Sequence, residues 1–233
     1  WPGIASIQAT LENGTWHMCA GALIHPQWVL TVAQCFIGAG DTSAWKVLIG
    51  ATDLTQPGPE AERRRIERVL VHQDYDDDSA WNNIALLELD EPVECSDYIQ
   101  LACVPDSSLA VPELRTCYIA GWRAAPTSLP LPIPGSPSHC PRVPKARRSA
   151  HQPHPVPPVT PGCGCEPGAA PDPSLPAQGD SGGPLVCKDN AGDYFWLVGL
   201  ASWGKGCAGD RRPGIFTSTQ HFHTWIQVQM GLV

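Results

Sequence analysis

The chain has 233 residues, 42% of them hydrophobic, and its 15 Lys and Arg against 23 Asp and Glu give a formal net charge of −8. That length admits one large all-β domain or two small barrels sharing an interface. The acidic balance excludes a nucleic-acid partner, since phosphates would be repelled, and no apolar run approaches the roughly 18 residues that span a bilayer.

Ten cysteines without metal-type spacing point to an oxidising compartment. Asn13-Gly14-Thr15, a glycosylation sequon at Asn13, agrees with that. The opening Trp1-Pro2-Gly3 shows no signal peptide and is expected to belong to a mature segment or a fragment.

In chain order, residues 21–24, 28–32, 45–49, 66–71 and 84–89 are short apolar stretches broken by Gly, Pro, Asp and Asn. Their spacing predicts antiparallel strands of a barrel or sandwich. Residues 117–121, 183–187 and 195–203 continue the series. Residues 219–230 carry Phe222, Trp225, Ile226 and Met230 at helical spacing and predict a C-terminal amphipathic helix. One segment breaks the pattern: residues 123–176 hold sixteen of the 25 prolines and no Phe, Trp or Tyr. Proline removes ladder donors, so this stretch cannot supply central strands.

The strongest chemical signal is Gly179-Asp180-Ser181-Gly182-Gly183-Pro184 before the apolar Leu185-Val186-Cys187. Its glycines form a tight turn that lets backbone N–H groups face a developing oxyanion. With Ser202-Trp203-Gly204, Arg212-Pro213-Gly214-Ile215-Phe216 and Cys117-Tyr118-Ile119-Ala120-Gly121-Trp122, this hexapeptide resembles the chymotrypsin and trypsin family of serine proteases. The resemblance covers residues 1–122 and 178–233. It implies an all-β fold of two six-stranded antiparallel β-barrels of chymotrypsin-like type with a C-terminal helix. The first barrel would take residues 1–105 and the second 106–233, incomplete because of residues 123–176.

The resemblance also assigns roles. Ser181 takes the nucleophile position, the N–H groups of Gly179 and Ser181 the oxyanion hole, and Leu175, Ser202, Trp203, Gly204 and Gly214 the substrate-binding positions. Cys19 would pair with Cys35 and Cys117 with Cys187. No cofactor is expected, and no metal: where relatives place a calcium-binding Glu, this chain has Ala51.

The departures from the family carry the functional expectation. The histidine belongs in a Thr-Ala-Ala-His-Cys run, and here that run reads Thr31-Val32-Ala33-Gln34-Cys35. The aspartate opens an Asp-Ile-Ala-Leu-Leu strand, and here Asn83-Ile84-Ala85-Leu86-Leu87 stands in its place. A serine hydroxyl needs a base to take its proton as it attacks, and an amide has no pKa near neutrality. Losing the base costs about 10⁶ in kcat, and an Asp→Asn change alone about 10⁴; the two do not multiply, because the acid only orients a base that is already gone. Leu175, at the position of the specificity aspartate, cannot pair with a substrate Lys or Arg. Ala177 replaces the usual partner of Cys207. In relatives a freed N-terminal amine pairs with the acid beside the nucleophile, here Asp180, and in this chain that amine is expected to be missing. His17, His25, His72, His221 and His223 are expected to be ordinary strand or surface residues.

The family's partners are protein substrates and inhibitors. Within it, Cys95 and Cys103 resemble the heavy-chain halves of two disulfides by which acrosins carry a short light chain. That branch implies a secreted or acrosomal location. It also suggests an alternative role, non-catalytic binding of sulfated egg-coat glycoproteins through Arg63, Arg64, Arg65 and Arg68, although a solvated strand edge is the reading these residues favour. A pseudogene or gene-model product is the remaining alternative. Residues 173–178 resemble a translated splice-acceptor tract, so residues 123–176 are expected to be non-coding or frame-shifted DNA.

Overall fold

A computed structural model describes residues 1–11, 14–40, 42–122, 156–159, 180–202 and 214–232. Six strands close a barrel: β1 (Ile4–Leu11), β2 (Gly14–His25), β3 (Trp28–Thr31), β4 (Trp45–Ile49), β5 (Glu62–Val71) and β6 (Ala85–Leu89). Their order around it is β1-β2-β3-β6-β5-β4, with every pair antiparallel. Three elements exceed what apolar runs revealed. β1 alternates small apolar and polar residues, and both β2 and β5 start earlier than expected. The early part of β5 is the charged run Glu62-Arg63-Arg64-Arg65, held in the sheet because Glu62 to Arg65 pair in register with Ile49 to Lys46 of β4. Backbone pairing decides strand membership there, and the charges stay at the surface.

The second sheet is made of β7 (Cys117–Ile119), β8 (Val156–Val159), β9 (Pro184–Lys188), β10 (Phe195–Ala201) and β11 (Gly214–Ser218). Their order is β7-β9-β10-β11-β8. Among the described residues this sheet has five strands and does not close. β8 comes from the proline-rich stretch and, among the described residues, lies on the edge, paired with β11 through Gly214 to Val159 and Phe216 to Val156. Proline is tolerated at an edge because one side of the strand needs no ladder donors. Apart from Val156–Val159, residues 123–176 lie outside the described residues. The C-terminal helix α1 is shorter than expected, His223–Gln229, because residues 219–222 form turns closed by the Phe222 N–H on the Thr219 carbonyl.

Two cores position the site. Ile7, Leu23, Val29, Val47, Ile49, Leu87 and Leu89 fill the first barrel. A second cluster joins the two sheets: Leu30, Val32, Ile84 and Leu86 from the first pack with Val186, Leu197 and Leu200 from the second and with Phe222 and Ile226 at the C terminus. Cys19–Cys35 and Cys117–Cys187 are both formed, as the resemblance implied. A bridge across 16 residues stabilises the fold by about 3 kcal/mol in the chain-entropy account. The β9–β10 turn is tied by Asp189. A bond from the Trp196 indole N–H, then those from the N–H groups of Ala191 and Gly192, hold its carboxyl down at about 2. No helix among the described residues is long and apolar enough to cross a membrane.

Leu87 is fully buried in the barrel core. Leu87→Ala should lower unfolding free energy by about 3 kcal/mol, read as a reduced urea midpoint at unchanged slope.

Candidate active site

Ser181 opens the turn that leads into β9. The next residue, Gly182, has φ +83, and a Cβ there would stand 2.2 Å from Thr31 Oγ1 and 2.3 Å from the Ala20 carbonyl oxygen. Only glycine meets both demands. Three backbone bonds hold the turn: the Ala20 N–H to the Ser181 carbonyl at 2.8 Å, the Gly182 N–H to the Ala201 carbonyl at 2.7 Å, and the Gly183 N–H to the Asp180 carbonyl at 2.8 Å. The serine is thus fixed between β2 of the first barrel and β10 of the second sheet.

Gln34 and Asn83 converge on it. Gln34 lies in a 3₁₀ turn (Ala33–Phe36) just after β3, and Asn83 just before β6. Both follow or precede residues locked in the joining core, Val32 and Ile84. Gln34 Nε2 donates to Ser181 Oγ at 3.2 Å and to the Ser202 carbonyl at 2.7 Å. Asn83 Nδ2 donates to Gln34 Oε1 at 2.7 Å and to Ser202 Oγ at 2.8 Å, while Asn83 Oδ1 accepts the Gln34 backbone N–H at 3.0 Å. Asn83 is 1% exposed and Ser202 4%, so the bond between them is buried, while the bonds of Gln34 are part-buried.

The orientation of each amide follows from its neighbours. The Ser202 carbonyl can only accept, so the group 2.7 Å away must be the Gln34 NH₂. The Gln34 backbone N–H can only donate, so the group opposite must be the Asn83 carbonyl oxygen. It follows that Ser181 Oγ faces a donor. In a working triad the neighbour of this oxygen accepts its proton. Here the amide hydrogen occupies an oxygen lone pair instead.

The acid beside the nucleophile has partners that the sequence reasoning did not supply. Asp180 Oδ1 accepts the Trp122 backbone N–H at 2.8 Å and lies 3.7 Å from His17 Nε2. Ser6 Oγ accepts from Gln8 Nε2 at 3.1 Å and lies 2.7 Å from His17 Nδ1. The close approach to Asp180 requires Gly121, where a Cβ would come within 2.2 Å of the Asp180 carboxyl carbon. His17, on β2, thus lies beside the Asp180 carboxylate and makes no contact with Ser181 among the described residues. The available signal was Ser6 and Gln8, two of the polar residues of β1, both buried.

Among the other assigned positions, Gly214 begins β11. Gly179, Leu175, Trp203, Gly204 and Asn13 lie outside the described residues, as do Ala177 and Cys207. Cys95 and Cys103 are free thiols, both exposed. The arginine run is largely neutralised: Arg64 pairs with Glu62, Arg65 with Asp90 at 3.0 Å, and Arg68 with Glu88 at 2.8 Å.

Removing the Asn83 amide would strand the Gln34 carbonyl and the Gln34 N–H in a part-buried site. Asn83→Ala should therefore cost about 2 kcal/mol in chemical denaturation, well above an exposed polar truncation.

A comparison with family models gives the trypsin domain, matched over residues 2–226. Together with the closed six-stranded barrel, the second antiparallel sheet and the short C-terminal helix, this match places the chain in the trypsin family of serine proteases.

Proposed function

We propose that the chain is a non-catalytic member of this family, with the nucleophile retained and the proton relay lost. One observation carries the reading: the side chain next to Ser181 Oγ is the donor Gln34 Nε2, and the next one in line, Asn83, is also an amide. No atom of this network can accept a proton near neutral pH, and substrate binding does not change that. What is left is the roughly 10³–10⁴ over water that an oxyanion hole and binding alone supply.

The acrosin-like reading belongs to the same proposal. Cys95 and Cys103 are both exposed and free in a chain whose Cys19, Cys35, Cys117 and Cys187 are oxidised. Two accessible thiols in an oxidising setting suit linkage to a light chain and a secreted or acrosomal location. Glycan binding by the arginine run is not favoured, since Arg64, Arg65 and Arg68 each face a carboxylate of the same chain.

With a panel of chromogenic peptide substrates, hydrolysis by the native chain should equal that of its Ser181→Ala variant and fall at least about 10⁴-fold below a working family member. Turnover that disappears on Ser181→Ala would refute the proposal.

A further inference from the structure

The C-terminal helix is held against the first barrel by a histidine that the site does not use. His72 directly follows β5, half-buried, and its ring centre lies 5.2 Å from that of Phe222 and 5.1 Å from that of Trp225. Trp225 returns the contact by donating its indole N–H to Gln73 Oε1 at 3.2 Å. Residues 72–73 and 222–225 therefore interlock. The His72 backbone N–H bonds the Ile84 carbonyl at 3.1 Å, which ties the same turn to the segment carrying Asn83.

The ring is built into this place in its neutral form. Nδ1 accepts the Asp74 backbone N–H at 3.2 Å, which it can do only while unprotonated. A proton on that nitrogen would set two donors against each other. The charged groups around it act in opposite directions. Burial comes first and holds His72 below its ordinary 6.5; the Asp74 carboxylate on its own turn works against this, and His221, on the turn ahead of α1, works with it. On α1 itself, the titratable group is His223, whose charge acts on Asp106. The strand segment behind the ring, Ile84 and Ala85, offers no ionisable side chain.

We propose that His72 is an acid-sensitive clasp: the neutral imidazole keeps α1 docked on the barrel, and its protonation loosens the helix. The sign follows from linkage. A histidine favoured in its neutral form when folded contributes fully above the unfolded value near 6.5, and its contribution declines as pH falls from there through the folded value. The clasp reaches the site, because Phe222 and Ile226 share a core with Val32 and Ile84, and Thr217 on β11 donates to the Asn83 carbonyl at 2.9 Å.

Amide hydrogen exchange of residues 223–229, expressed as protection factors at pH 7.5 and pH 5, tests this on the whole chain. Protection in the native protein should fall at least about threefold at the lower pH. His72→Gln, which keeps an acceptor but cannot titrate in this range, should show no such fall, and His221→Gln should retain it. An equal fall in His72→Gln, a flat native profile, or loss of the effect in His221→Gln would overturn the proposal. Should His72→Gln fail to fold, proton NMR of the native chain decides: the Trp225 indole resonance must shift with the His72 ring midpoint, and a resonance indifferent to it would count against the clasp.

Discussion

The hydrogen bond from Gln34 Nε2 to Ser181 Oγ sets the chemistry of the whole site, and its direction matters more than its strength. At 3.2 Å it is an ordinary bond, yet it gives the serine oxygen a donor where attack on a carbonyl requires an acceptor. The direction is not adjustable by a simple amide flip. Turning Gln34 over would press its carbonyl oxygen on that of Ser202 at 2.7 Å and place its NH₂ against the NH₂ of Asn83. Either clash leaves part-buried polar groups unsatisfied, at about 1–3 kcal/mol each. The two substitutions therefore form one self-consistent hydrogen-bonded unit, each amide fixing the other.

The rest of the fold keeps this unit in place. Gln34 and Asn83 come from the first barrel, Ser181 and Ser202 from the second sheet, and the core of Leu30, Val32, Ile84, Val186, Leu197 and Leu200 fixes the distance between them. The Cys19–Cys35 bridge anchors the Gln34 turn to β2, whose Ala20 N–H holds the Ser181 carbonyl. A scaffold of this kind preserves the geometry of catalysis independently of whether the proton chemistry survives. That separation explains how the serine turn stays well formed beside two amides.

Much of this was legible from residue order alone. The serine hexapeptide, the Trp28-Val29-Leu30 strand before Gln34 and the Asn83-Ile84-Ala85 strand start located all three side chains, because each is framed by apolar residues whose burial forces its position. Most of the barrel strands were visible for the same reason. What escaped was whatever depends on cross-strand neighbours. The charged half of β5 carries no apolar run and is a strand only because β4 lies beside it. The His17 contact with Asp180 joins residues 163 positions apart, and no local pattern announces such a meeting. Which way the two amides point was likewise decided by backbone groups of Ser202 and Gln34, not by the amide residues themselves.

The account stands on the missing proton acceptor, and the reactivity of Ser181 toward an organophosphonate measures that directly, without a substrate pocket having to be matched. Labelling of the purified chain should be at least about 10⁴-fold slower than that of a working trypsin under the same conditions. A comparable rate, with the adduct located on Ser181 by mass spectrometry, would contradict it.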